Sequence, residues 1–162
     1  MRTVIVYYSL NGNTKLAAEK IAEILGADTI GIFPKKPYCD KGFKKYFLGG
    51  KSAVFGESPE LMPYEFNADE YDTVIFGMPV WASCITPPIR TFIEENKASL
   101  GGKEIACVLC QSGSGAEKVA NKLKALLGIS SFKAELVLID PKDKPNDENE
   151  IKIKDFCKEL KV

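Results

Sequence analysis

The feature that most restricts this chain is an alternation along most of its length. Short apolar runs rich in β-branched residues take turns with amphipathic stretches of helical period. Residues 3–8 open the pattern. Thr3, Val4, Ile5, Val6, Tyr7 and Tyr8 form a continuous run that suits a strand covered on both faces. Residues 14–25 read as a helix, with Leu16, Ala17, Ile21, Ala22, Ile24 and Leu25 on one face and Gly26 placed to end it. Further strands are expected over 29–33, 73–78, 105–110 and 134–139. Further helices are expected over 88–95, with Pro88 in the first turn, over 116–127, stopped by Gly128, and over 149–160. Repeated strand–helix units imply parallel strands joined by right-handed crossovers, so the expected fold class is α/β with a doubly wound five-stranded parallel sheet. In such sheets a ligand sits beyond the carboxyl ends of the strands, where the strand order reverses. The loops after the first, third and fourth strands are therefore the candidate sites.

A length of 162 residues suits one domain. Only the segment 34–66 breaks the rhythm. It is rich in Lys, Gly and aromatics (Tyr38, Phe43, Tyr46, Phe47, Phe55, Tyr64, Phe66) and reads as an elaborated crossover with a short helix at 43–48. The turn-rich segment 140–147 reads as a surface loop.

Composition removes several classes of function. The chain has no histidine, which excludes Ser-His-Asp and Cys-His catalysis and the usual zinc-enzyme ligand sets. Its 22 basic and 22 acidic residues balance, whereas a nucleic-acid binder usually carries a basic excess. The opening apolar run is too short to span a bilayer and lacks the flanks of a secretory signal, so a cytoplasmic location is expected. Five cysteines, an odd number, are then expected as free thiols rather than a disulfide framework.

The first strand runs through Ser9-Leu10-Asn11-Gly12-Asn13-Thr14 straight into a helix. A helix N-terminus offers unpaired N–H groups and the positive end of the dipole, which attract phosphate. Gly12 permits close backbone approach, and Ser9, Asn11, Asn13 and Thr14 add short polar side chains. No lysine follows a glycine as in a nucleoside-triphosphate loop, so the segment suits a monophosphate.

These residues resemble the phosphate loop of flavodoxins, S/T-x-T/N-G-x-T. The resemblance continues through Gly77-Met78-Pro79-Val80-Trp81 after the third strand, Pro87-Pro88-Ile89-Arg90-Thr91-Phe92 into the next helix, and Gln111-Ser112-Gly113-Ser114-Gly115 after the fourth strand. It implies a flavodoxin-like sheet of order 2-1-3-4-5 that binds flavin mononucleotide (FMN). Residues 9–14 would hold the phosphate through backbone N–H groups and the Ser9 and Thr14 hydroxyls. Pro79, Val80, Trp81 and Ala82, with Gln111, Ser112, Gly113, Ser114 and Gly115, would bond to or pack on the isoalloxazine ring. Trp81, the only tryptophan, is placed to stack on it.

Two departures from that family bear on function. Its electron carriers usually place a tyrosine and acidic residues in the third loop, and 111–115 has neither. They are also strongly acidic, and this chain is neutral. The outer face of a flavin is thus expected to be open, or covered by Tyr38, Tyr46 or Phe47 of the insert. The resemblance implies a redox protein passing electrons between partner proteins, with no catalytic side chain and no metal. An FMN-dependent NAD(P)H reductase of quinones or similar small acceptors is the alternative, and a flavin-free binding module is a third reading.

Three other patterns are weaker. Cys84 to Thr91 matches the bare C-x5-R-S/T pattern of cysteine phosphatases, but Pro87 and Pro88 each lack the N–H that such a loop needs. Cys107 and Cys110 form C-x-x-C inside a strand, where residues three apart face opposite sides. Lys41, Lys44, Lys45 and Lys51 form a basic cluster in the insert, which reads as a solvated face or a lure for an acidic partner.

Overall fold

Alternate residues of the first strand, β1 (Thr3–Tyr7), enter two different cores. The computed structural model describes residues 2–38, 51 and 53–161. β1 is followed by β2 (Asp28–Gly31), β3 (Thr73–Pro79), β4 (Glu104–Gln111) and β5 (Glu135–Ile139). All neighbours pair in parallel, in the order β2-β1-β3-β4-β5. The register puts Ile5 beside Thr29 on one side and Ile75 on the other. The chain thus leaves β1 for one edge at β2 and returns across it to β3, and this reversal opens a crevice at the carboxyl ends of β1 and β3.

Helices α1 (Asn13–Leu25), α2 (Pro87–Asn96), α3 (Ala116–Leu127) and α4 (Asp147–Leu160) cover the two faces. Val4, Val6, Val74, Phe76, Cys107 and Leu109 face α2 and α3 through Ile89, Phe92, Val119 and Leu123. Ile5, Tyr7, Ile75, Ala106, Val108 and Cys110 face α1 and α4 through Ala17, Ile21, Ile153 and Phe156. Burying a side chain such as Ile21 stabilises the fold by about 1.5–3 kcal/mol, and both faces do so along the whole sheet.

The five predicted strands and the helices predicted over 14–25, 88–95, 116–127 and 149–160 are present, with shifted ends. β3 continues through Pro79 and β4 through Gln111, so both candidate loops begin on strand residues. β2 ends at Gly31, before the expected Phe33. α4 starts at Asp147 because Asn146 Oδ1 accepts the Asn149 N–H at 2.8 Å and caps it. Gly26 and Gly128 end α1 and α3 as expected. Cys107 and Cys110 point into opposite cores, which removes the C-x-x-C pair as a redox or metal site.

The two described ends of the insert are tied together. Pro34 bridges Leu61, the Lys35 N–H donates to Glu60 O at 2.8 Å, and the Met62 N–H donates to Phe33 O at 2.8 Å. The returning part rides on α2, where the Tyr64 hydroxyl donates to Glu95 at 2.6 Å and Ser58 to Glu94 at 2.6 Å. The expected helix at 43–48, together with Phe43, Tyr46, Phe47, Lys41, Lys44 and Lys45, lies outside the described residues. Among the described residues no helix is long and apolar enough to cross a membrane.

Candidate functional site

The crevice holds a cleft of about 260 Å³, and three predicted loops line it. The first contributes Ser9, Leu10, Asn11, Asn13 and Thr14, the second Pro79, Val80, Trp81 and Ala82, and the third Gln111 and Ser112. Gly12, Gly113, Ser114 and Gly115 are predicted site residues that do not line it. Gly113 and Ser114 are exposed at the loop tip, whereas Gly12 and Gly115 act from behind the wall.

Gly12 starts α1 with φ of 93° and supplies no side-chain cap, so the first-turn N–H groups of Asn13, Thr14 and Lys15 have no acceptor within the helix. The Gly12 N–H itself donates to Ser9 Oγ at 3.1 Å. Thr14 is buried, and its Oγ1 makes no hydrogen bond of full geometry among the described residues; the group beside it is the buried Cys110 thiol, a weak partner. A buried hydroxyl left unpaired costs about 1–3 kcal/mol, and here the poorly paired one belongs to a residue of the cleft wall. The loop fits an anion that would accept from this hydroxyl and from the open N–H groups together.

The second loop is strained. Ala82 and Ser83 have φ of 49° and 56°, and the Cys84 N–H donates to Trp81 O at 2.9 Å. This is a tight turn with left-handed backbone at both central positions, a form usually given to Asn-Gly. Left-handed backbone at a residue with a Cβ costs about 1–2 kcal/mol, so surrounding contacts must hold the turn in place. One such contact is Gly115, with φ of 110°. A Cβ on Gly115 would lie 2.5 Å from Ser83 Oγ and 3.3 Å from Val80 Cγ1. The glycine therefore lets the third loop press directly against the second. Trp81 stands at the mouth, edge-on to Tyr8 at 5.5 Å and to Tyr38 at 5.3 Å between ring centroids. Tyr38 of the insert thus packs on Trp81, a residue of the cleft wall. Burial, with the neighbouring Tyr38, raises the Tyr8 phenol and keeps it neutral.

Sequence reasoning missed part of the wall. Cys110, Asp140 and Asp143 also line the cleft. Burial pushes the Cys110 thiol up to about 12, with the Thr14 hydroxyl opposing the shift and Asp140 adding to it, so it stays an inert thiol. Asp140 follows β5 directly and has φ of 41°. Its Oδ1 accepts from Ser112 Oγ at 2.6 Å, and its Oδ2 accepts from Lys144 Nζ at 2.8 Å. Burial works to raise this carboxyl, but the Lys144 and Ser112 hydrogen bonds prevail and hold it below the usual range. The segment 140–147 is the surface loop that its turn-rich sequence implies over 142–146, and its residues Asp140 and Asp143 add a fourth wall to the cleft. Its position at the carboxyl end of a strand was the available signal.

The phosphatase pattern has no matching geometry. Pro87 and Pro88 open α2, Cys84 Sγ accepts from Lys122 Nζ at 3.0 Å, and Arg90 pairs with Glu94 at 3.8 Å.

The structure is similar to a flavoprotein from Lactobacillus acidophilus, solved in complex with FMN, with a TM-score of 0.72, 22% identity and coverage of 88% of this chain and 95% of that one. A chain from Bacteroides eggerthii assigned to the flavoproteins gives 0.77, 24%, 99% and 98% for the same quantities. The two-electron reduced flavodoxin of Megasphaera elsdenii gives 0.58, 17%, 98% and 94%. No curated protein sequence is significantly similar to this one. The flavodoxin family model matches residues 2–140, which take in all three predicted loops and the first residue of the fourth wall, and the chain belongs to the flavodoxin family.

Proposed function

We propose that the chain binds FMN in this cleft and passes electrons between partner proteins. The observation that carries the reading is the buried, poorly paired Thr14 hydroxyl beside the open N–H groups of the α1 start, at the wall of a cleft flanked by Trp81. The uncharged loop 9–14 would take the phosphate. The turn after β3 and the residues Gln111 and Ser112 would flank the ring, with Trp81 against one face. When bound, the flavin supplies the redox chemistry. The protein's own groups bind it, orient it and set its electrostatic surroundings. Asp140 and Asp143 stand in the wall beside Lys144 and Lys142, so this segment brings balanced charge to the surroundings of a bound flavin. A cytoplasmic setting and protein redox partners belong to the same reading, without nucleic acid or membrane.

One observation favours a second reading, an FMN-dependent NAD(P)H reductase of small acceptors. Ser112, Gly113 and Ser114 are exposed, and a Cβ on Gly113 would meet nothing within 4 Å. That leaves room over the ring for a nicotinamide or quinone. The test is a visible spectrum of the purified protein with added FMN, then stepwise photoreduction and an NAD(P)H consumption assay. Flavin bands with two resolved one-electron steps support the carrier. A single two-electron step with NAD(P)H turnover supports the reductase. A colourless protein that ignores FMN overturns both.

A further inference from the structure

The fourth wall does more than close the cleft. Lys142 Nζ donates to the Asn11 carbonyl at 2.8 Å, and a Cβ on Gly12 would lie 3.0 Å from that ammonium. Asn13 fastens the same loop, with its Oδ1 accepting the Lys142 N–H at 2.8 Å and its Nδ2 donating to Asp143 at 2.7 Å. The Asn11–Gly12 peptide is therefore held at both ends, its carbonyl by Lys142 and its N–H by Ser9 Oγ. In a trans peptide these two groups point in opposite directions. Lys142 thus fixes one carbonyl oxygen, which would repel an anion, on the side opposite the Ser9 hydroxyl. It also brings a positive charge to a loop that has none of its own.

We propose that Lys142 is a specificity-determining residue for the cofactor's phosphate. It positions the Asn11–Gly12 peptide and supplies the countercharge that favours FMN over riboflavin. The proposal rests on the FMN reading above. Its chemistry is that of an ammonium held on the Asn11 carbonyl and attracting a phosphate dianion bound by the same loop, an attraction that salt screens.

The experiment titrates wild type, Lys142→Met and Lys142→Arg with FMN and with riboflavin, at low and moderate salt. Lys142→Met is expected to raise the FMN Kd about tenfold at low salt and the riboflavin Kd less than about twofold. The FMN effect shrinks as salt rises, and Lys142→Arg restores most of the binding. The tightening of FMN as its phosphate loses a second proton near about pH 6 should be smaller in Lys142→Met. Lys142 is exposed, so unchanged melting of the variants is expected and checked alongside. Equal weakening of both flavins, or unchanged FMN binding, overturns the role of Lys142 while FMN binding by the wild type leaves the function standing. A wild type that binds neither flavin overturns both.

Discussion

At the end of the cleft proposed for the phosphate, the backbone is relaxed and Thr14 is unsatisfied. At the end proposed for the ring, Gln111 and Ser112 are hydrogen-bonded and the backbone is strained. Loop 9–14 assigns its positive φ to a glycine, Gly12, yet leaves Thr14 Oγ1 poorly paired. Around the ring end, Gln111 Oε1 accepts the Ala116 N–H at 3.1 Å and Ser112 bonds Asp140, while Ala82, Ser83 and Asp140 all carry positive φ. The two ends spend stability in different ways. One keeps a polar group waiting for a ligand, and the other holds a surface in a shape it would not adopt alone. Changes at the first end should move affinity more than stability, and changes at the second should do the reverse.

The largest expected effect lies at the ring end. Gly115→Ala puts a Cβ against Ser83 Oγ at 2.5 Å and forces left-handed backbone on an alanine, so about 2–4 kcal/mol of stability should be lost in urea unfolding. A loss under about 0.5 kcal/mol would mean that the two loops do not support each other.

Thr14→Val tests the phosphate end and predicts opposite signs. Removing a poorly paired buried hydroxyl at constant shape should stabilise the ligand-free protein by about 1 kcal/mol, while the FMN Kd rises about tenfold and that of riboflavin by less than twofold. Equal loss for both flavins would separate Thr14 from the phosphate.

Asp140 gives the pH dependence. Its folded pKa is depressed, so the unfolded chain, near about 3.9, takes up the proton first as pH falls. The stabilisation is therefore complete above that value and disappears as pH drops through the lower folded pKa. Asp140→Asn keeps a residue that tolerates positive φ but lacks the charge. It should be less stable than wild type at neutral pH, with the difference vanishing in acid. A difference that persists in acid would assign the effect to packing.

The smallest effect is Ala82→Gly. Relief of left-handed strain, about 1–2 kcal/mol, is offset by the extra chain entropy of glycine, about 0.5–1 kcal/mol. A net gain of roughly 0.5 kcal/mol should appear as a small rise in Tm. A loss would show that the alanine methyl packs on something the turn needs.

This contrast also explains what the sequence disclosed. The alternation of strands and helices is written in short-range periodicity, and the phosphate loop is contiguous, so both were legible. The strained turn at 81–84 carries Ala and Ser where composition would predict Asn and Gly, because tertiary contact with Gly115 overrides local preference. The latch between Asn13 and Lys142 joins residues 129 apart, and nothing in either segment alone indicates the pairing. Asp140 was read as part of a turn because its partner Ser112 comes from another strand end. The helix expected at 43–48 lies outside the described residues.

Trp81 has a practical consequence. Because the chain contains one tryptophan and it stands at the mouth of the cleft between Tyr8 and Tyr38, the whole indole emission of the protein originates beside the place where a yellow chromophore would dock. Energy transfer to that chromophore would darken the emission in proportion to occupancy, so the molecule carries its own optical gauge of loading.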